Sequence, residues 1–254
     1  MRALAALAAA AAGALAAAAL AAAGEPPAGL SPAAPSAERG YRFIAEKAYV
    51  PASFSQSTFD ALWESWPEGL RARAAKASPE ERRRMTYERY GLTPRAEGPA
   101  GKPLQYVVDA RGLWTINCFA CHGGEVAGRV VPGLPNARLA LQDLADDVAR
   151  VEALKHKTPE VGGMMLSRVP LGETHGTTNA VMFSVALLAF RDADLNVVLP
   201  TSAPRFVHHD LDAPPWWNVK KRKRLYLDGL VAKNHRSLMQ FLLVPTNGPA
   251  RLAE

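Results

Sequence analysis

The chain contains 254 residues, of which 48% are hydrophobic, and its 30 basic and 24 acidic residues give a formal net charge of +6. This hydrophobic fraction is sufficient to bury a core, so the composition excludes an intrinsically disordered chain. The length suits one large domain or two small ones, and the positive charge favours acidic partners or anionic surfaces.

The first 24 residues have the pattern of an export signal. One positive charge at Arg2 precedes a long Ala/Leu run, and Ala21-Ala22-Ala23-Gly24 provides a small-residue cleavage site. We therefore predict a signal peptide over residues 1–23 and a periplasmic or otherwise exported protein. An uncleaved membrane anchor is the alternative, because the run approaches the roughly 20 residues that a spanning helix needs. Export weighs against nucleic acid as a partner.

Two segments lie between the export signal and the cysteines. Residues 24–39 are rich in Pro, Ala and Ser and lack periodicity, which predicts a flexible linker. Residues 40–104 predict an N-terminal helical extension. Its first helix begins near Ser57, and its second is capped by Ser78 and ends at Gly91.

The chain beyond residue 122 is also predicted to be helical. Gly and Pro residues indicate a loop over 123–136, and an apolar stripe predicts an amphipathic helix over 137–155. A buried helix is expected over 177–190 and a last short helix over 235–244. No β pattern of any length is visible. The sequence therefore predicts a mainly α fold with long irregular loops.

The only two cysteines lie in W-T-I-N-C-F-A-C-H-G-G, where Cys118, Cys121 and His122 form Cys-x-x-Cys-His. This is the attachment sequence of c-type haem, since one helical turn lets both sulfurs reach haem vinyl groups while the histidine faces the iron. A disulfide across so short a loop would remove little chain entropy. A structural zinc site needs four protein ligands, and the sequence has no second pair of cysteines. A thioredoxin-like pair needs a β-α-β setting, which the predicted helices around the motif do not provide. The sequence therefore predicts one covalent haem c.

Two further groups around the iron can be sought in the sequence. A proximal histidine usually donates its second ring N–H to a backbone carbonyl, for which Pro132 is the first candidate and Pro135 the second, unless both belong to an ordinary turn. The sixth ligand separates electron carriers, which use Met or His, from peroxidases and oxygenases, which leave the position open. The candidates are Met164 and Met165 in a predicted loop, Met182, Met239, His175 and His235.

The C-terminal part of the chain resembles a known family. The stretches P-P-W-W-N-V, L-Y-L-D-G, H-R-S-L-M-Q and P-T-N-G-P are similar to a region of the di-haem cytochrome c peroxidases, and their arrangement resembles the di-haem rubber oxygenases still more closely. The matching positions are Pro215, Trp217, Asn218, Tyr226, Asp228, Gly229, Leu238 and Gln240. With the cysteine motif, the resemblance covers residues 105–254.

The resemblance implies a cytochrome c-like helical haem domain over residues 105–254. It places the last short helix across the far face of the iron, which makes Met239 the first choice of axial ligand and His235 the second. It also implies that Trp216 and Trp217 line the haem pocket. Anchoring a Pro-rich turn in the core is an equally good interpretation of these two side chains.

The relatives carry two haems in two domains, whereas this chain has one Cys-x-x-Cys-His. We therefore expect either a mono-haem chain or the N-terminal half of a longer protein that continues into a second haem domain. One haem with a Met ligand carries single electrons, so an exported mono-haem electron carrier is the leading expectation. The alternatives are the first-haem half of a di-haem peroxidase or oxygenase, and a binding module with a structural haem. The basic run at 220–224 is either a solvated surface or a site that pairs with haem propionates or docks an acidic redox partner.

Overall fold

A computed structural model describes residues 36–95, 101–167, 169, 171–179, 192, 196–198, 210–225, 229, 231–234, 238, 244 and 247. The chain divides into two compact units, Met1–Arg39 and Gly40–Glu254. Only residues 36–39 of the first unit are described. The predicted helices over 177–190 and 235–244 lie largely outside the described residues.

Helices form most of the regular structure. The α-helices are α1 (Ala37–Glu46), α2 (Gln56–Phe59), α3 (Glu68–Lys76), α4 (Pro79–Tyr90), α5 (Phe119–His122), α6 (Leu141–Leu154) and α7 (Val161–Leu166), and two 3-10 helices cover Leu62–Ser65 and Trp216–Lys221. Among the described helices, none has the length and apolarity needed to cross a membrane.

In the described part of the chain, seven short strands accompany the helices, and all of them pair antiparallel. They are β1 (Phe54–Ser55), β2 (Tyr106–Val108), β3 (Leu113–Ile116), β4 (Gly123–Val126), β5 (Arg129–Pro132), β6 (Arg224–Leu225) and β7 (Val231–Ala232). Strand order is β1-β3-β2 in one sheet, and β4-β5 and β6-β7 form two separate pairs. The described chain is therefore mixed α/β, and the predicted mainly α, cytochrome c-like helical fold is wrong.

The sequence pattern did not predict these strands, because each has only two to four residues. So few residues show no clear alternation of apolar and polar side chains. The predicted loop over 123–136 is instead the β4-β5 hairpin followed by a short turn segment. Its two-residue connection places Ala127 at φ 49° and Gly128 at φ 75°. Positive φ at both central positions is what a type I′ hairpin turn requires, and Gly128 adopts it without steric cost.

The helices with strong local signals are confirmed. At the start of α4, the Ser78 hydroxyl accepts a hydrogen bond from the Glu81 N–H, and at its end Gly91 is left-handed. Helix α6 buries the predicted stripe of Leu141, Leu144, Val148 and Val151. Leu154, the last residue of the stripe, is instead 67% exposed. The C-terminal end of the stripe therefore lies outside the core.

Aromatic side chains form the main core between the three-stranded sheet, α4 and α6. Trp114 from β3 is fully buried. Its ring stacks on that of Phe59, with centroids 4.2 Å apart and planes at 15°, and also on Phe54 from β1 at 5.5 Å. These offset contacts add to the free energy gained by burying the rings. The core therefore joins α2 to the sheet.

One carboxylate, that of Asp147, lies fully buried beside this core. Tyr90 donates its hydroxyl hydrogen to Oδ2 at 2.6 Å, and the Arg89 guanidinium donates to the same oxygen at 3.0 Å. Arg150 donates to Oδ1 at 2.6 Å. Trp66 Nε1 in turn donates to the Tyr90 hydroxyl at 2.8 Å. Burial together with the charge of Asp147 raises the pKa of Tyr90, so this phenol stays protonated as the donor.

We expect Asp147→Ala to lower the free energy of unfolding by about 3 kcal/mol, since it leaves the Tyr90 hydroxyl and two guanidinium groups without their buried acceptor. Urea denaturation followed by circular dichroism measures the loss. The neighbouring Asp146, which accepts only from the Gln142 side chain, provides the control, and Asp146→Ala should change stability by less than about 1 kcal/mol. Equal losses in both variants would contradict a central role for Asp147.

Candidate functional site

The cysteine motif forms one helical turn. Cys118 has helical backbone angles (φ −61°, ψ −24°) and precedes α5. The His122 N–H donates to the Cys118 carbonyl at 3.0 Å, which closes the turn. Cys118, Cys121 and His122 are thus held as the sequence predicts, with the cysteines three residues apart on one helical turn.

Both cysteines are free thiols and half-buried. Burial raises the pKa of the Cys118 thiol and raises that of Cys121 to about 12. Neither sulfur is therefore a thiolate near neutral pH, which is the form that a reactive redox pair needs. Among the described residues, no group of three or more His, Cys, Asp or Glu side chains could hold a metal ion. The zinc and redox alternatives gain no support.

Trp216 packs against the imidazole of His122, with ring centroids 5.2 Å apart and planes at 38°. The same indole lies 5.8 Å from the ring of Phe119. Burial lowers the pKa of His122 to about 4, so the imidazole is neutral at pH 7. Its Nδ1 is buried without a hydrogen-bond partner. A neutral imidazole is the form in which histidine coordinates a metal.

The predicted proline contact is not formed in this structure. Because Nδ1 of His122 has no partner, neither Pro132 nor Pro135 accepts a hydrogen bond from it. The loop is tied to the turn through the backbone instead. The Gly133 N–H donates to the His122 carbonyl at 2.7 Å, and Pro132 pairs with Gly123 in the hairpin. The segment is adjacent to the histidine, as expected, although the bond itself is missing.

The other predicted site residues are placed less favourably. Trp217 is 48% exposed, so of the two tryptophans Trp216 alone packs on the turn. His175 is 60% exposed and pairs with Asp143 on α6 at 3.6 Å.

Met164 and Met165 lie in helix α7, not in the predicted loop. The helix tolerates Gly162 and Gly163 because their missing side chains let it approach the carbonyls of residues 51–53. Met239, His235 and Met182 lie outside the described residues.

Two asparagines that the sequence analysis overlooked hold the turn. Asn117 accepts a hydrogen bond from the Phe119 N–H at 2.9 Å and donates to the Leu104 carbonyl at 2.9 Å. Asn136 donates its side-chain amide to the carbonyls of Gly91 and Ala120, and its N–H to the carbonyl of Cys121. A capping Asn directly before the first cysteine was the available signal for Asn117. Asn136 acts over long range and had none.

The residues of the turn fit a covalently held haem. Two protonated thiols stand one helical turn apart and can each add to a vinyl group, and the imidazole beside them is neutral. The unpartnered Nδ1 is the ring nitrogen that a proximal histidine directs toward a carbonyl acceptor.

We expect Gly133→Ala to disturb the packing of Trp216 on His122. Gly133 has φ 90°, and a Cβ there would stand 3.0 Å from Cβ and 3.1 Å from Cε3 of Trp216. Gly128 is the matched control, because it has φ 75° and no atom within 4 Å of the added Cβ. Both variants carry the strain of a positive φ. Gly133→Ala should therefore lower the free energy of unfolding by about 1 kcal/mol more than Gly128→Ala does, and it alone should alter the near-UV circular dichroism. Identical spectra and stabilities would argue against this contact.

Comparisons with known proteins do not extend this picture. No protein-family model, no curated protein and no solved structure matches the chain. The relation to di-haem peroxidases and rubber oxygenases therefore stays a prediction that rests on the sequence motifs.

Proposed function

We propose that this chain is an exported protein that carries one covalent haem c and moves single electrons between redox partners. The observation that supports it best is the placement of Cys118, Cys121 and His122 on one helical turn, with free protonated thiols and a neutral imidazole. Thioether bonds from the two sulfurs would hold the group, and the histidine would coordinate the iron. The bound haem would supply a one-electron couple.

The surrounding residues orient and shield this turn. Trp216 covers one side of the imidazole and limits its rotation. Asn117 and Asn136 hold the backbone on either side of the cysteines. Because these hydrogen bonds and the packed indole restrain the turn, the imidazole would keep one orientation during electron transfer, which would keep the reorganisation energy small. The proposal rests on the motif and its geometry, and it does not require the helical fold that the family resemblance implied.

Covalent attachment is the direct test. In a host with haem-attachment machinery, the protein should retain haem after denaturing electrophoresis, and its mass should rise by one haem. Cys118→Ser combined with Cys121→Ser should abolish the attachment. His122→Asn should prevent a normal low-spin spectrum, whereas His156→Asn, at an exposed position outside the turn, should not. Failure of the unmodified chain to take up haem would overturn the proposal.

The axial ligand decides between a carrier and an enzyme. We propose Met239, which lies outside the described residues, and expect the oxidised protein to show the weak long-wavelength absorption of a Met-iron bond. Met239→Leu should remove that band and keep the side-chain volume, while Met164→Leu and Met165→Leu should leave it. Loss of the band in either control would move the assignment to that residue. A high-spin spectrum of the unmodified protein would instead favour the peroxidase or oxygenase alternative.

We propose that the basic run, from Lys220 to Arg224, docks an acidic redox partner. All five side chains are exposed, and the first two, Lys220 and Lys221, end the 3-10 helix that begins at Trp216. A cluster of like charge raises the encounter rate with an oppositely charged molecule and loses this effect as salt screens it. Its position next to the indole that covers His122 would bring a partner close to the turn.

Ferricyanide, an anionic one-electron oxidant, measures this effect. Lys220→Glu with Lys221→Glu should slow oxidation of the reduced haem protein several-fold at low ionic strength, and the difference should vanish at high salt. Arg73→Glu with Lys76→Glu makes the same charge change at exposed positions of α3. Its effect should be much smaller. If both double variants slow the reaction equally, net charge and not the basic run sets the rate.

A further inference from the structure

A cavity with a volume of about 140 Å³ lies outside the cysteine turn. Its walls come from helix α6, helix α7 and the two outer strands of the three-stranded sheet, β1 and β2. Cys118, Cys121 and His122 are not among the residues that line it. The proposed electron-transfer function therefore leaves the cavity without a role.

Most of the lining is apolar and suited to a flat ring. Phe54 and Tyr106 contribute aromatic rings from the sheet, and Met164 contributes a thioether from α7. Aromatic rings pack favourably on one another, and a methionine sulfur is attracted to a ring edge. Leu144 and Val148 close the side formed by α6. A cavity of roughly 150 Å³ with such walls is large enough for benzene.

Four polar side chains interrupt the apolar lining, those of Ser53, Glu152, Lys157 and Ser167. Lys157 and Ser167 already donate hydrogen bonds within the protein, to the Ser57 hydroxyl and to the Met164 carbonyl. Ser53 is buried, and its hydroxyl has no hydrogen-bond partner. Glu152 is also buried. Burial and the nearby charge of Glu160 raise the pKa of Glu152 to about 7, while Lys157 and the Thr58 side chain oppose that shift. An unpartnered hydroxyl in a cavity wall costs free energy that a ligand able to bond to it would recover.

We propose that this cavity binds a small neutral aromatic alcohol, a ligand with one ring and one hydroxyl group. The volume admits one ring, the aromatic and thioether walls favour it, and the ligand hydroxyl completes the hydrogen bonding of Ser53 or Glu152. A hydroxyl serves as donor and acceptor at once, so it can satisfy either group. The inference does not depend on the cysteine motif, because Cys118, Cys121 and His122 do not line the cavity.

Phenol and benzene are the probes, titrated into the mature full-length protein and followed by calorimetry and by amide shifts in NMR spectra. Phenol should bind saturably at one site and about 10-fold more tightly than benzene, since only phenol can satisfy the polar groups. The shifted amides should belong to helices α6 and α7 and to strands β1 and β2. Absence of saturable phenol binding would overturn the proposal, and so would equal affinities for the two probes.

Two variants, one at the cavity and one away from it, test where phenol binds. Ala149→Leu adds bulk at an exposed lining position of α6 and should weaken phenol binding at least 10-fold. Ala75→Leu makes the same change on an exposed position of α3 and should leave the affinity unchanged.

Ser53→Ala removes the unpartnered hydroxyl without removing a bond that the protein forms, so the chain should remain folded. Phenol affinity should fall several-fold toward that of benzene, whose own affinity should stay constant. Unchanged phenol binding in both Ser53→Ala and Glu152→Gln would show that neither polar group recognises the ligand.

Discussion

The buried carboxylate of Asp147 is the constraint on which most of the structure depends. A buried charge is tolerated only when its oxygens are paired, and here each oxygen accepts hydrogen bonds from α4 or α6. The bonds to Oδ2 join α4 to α6, whereas the bond from Arg150 lies within α6. They also position Tyr90, whose hydroxyl links the carboxylate to Trp66 in the aromatic core. The requirement to satisfy one buried group thus orders several elements at once.

The same region of α4 connects the core to the cysteine turn. The Tyr90 carbonyl accepts a hydrogen bond from the Ala140 N–H, and the Gly91 carbonyl accepts one from the Asn136 side chain. Gly91 can do this only as glycine, because a Cβ there would stand 1.9 Å from the Arg138 carbonyl oxygen. Asn136 then bonds to the backbone of α5. A change at the end of α4 is therefore transmitted to the backbone that holds the thiols and the imidazole.

The cysteine turn and the apolar cavity illustrate two ways in which a fold provides chemistry. The spacing within the turn is local, because helical hydrogen bonding places the three residues on one turn. Asn117 and Asn136 then hold that turn in place. The cavity is assembled from residues as distant in sequence as Ser53 and Met164, and that assembly leaves the Ser53 hydroxyl without a hydrogen-bond partner. Tyr106 lines the cavity and packs on Trp114 from the adjacent strand. The sheet thus supports the cavity although each strand is short.

The sequence by itself determined the features that depend on neighbouring residues. The cap at Ser78, the stop at Gly91 and the apolar stripe of α6 were predictable, and so was the helical turn that carries Cys118, Cys121 and His122, because backbone hydrogen bonding and side-chain spacing within a few residues decide them.

Only the tertiary structure decided the mixed α/β fold, the helix at Met164 and Met165, the packing of Trp216 on His122, and the burial of Asp147. Each depends on partners far away in the chain: a strand of two residues forms only beside another strand, and a Gly-rich helix forms where backbone packs closely against it. Contacts of this kind leave no local pattern, so no periodicity or spacing could have indicated them.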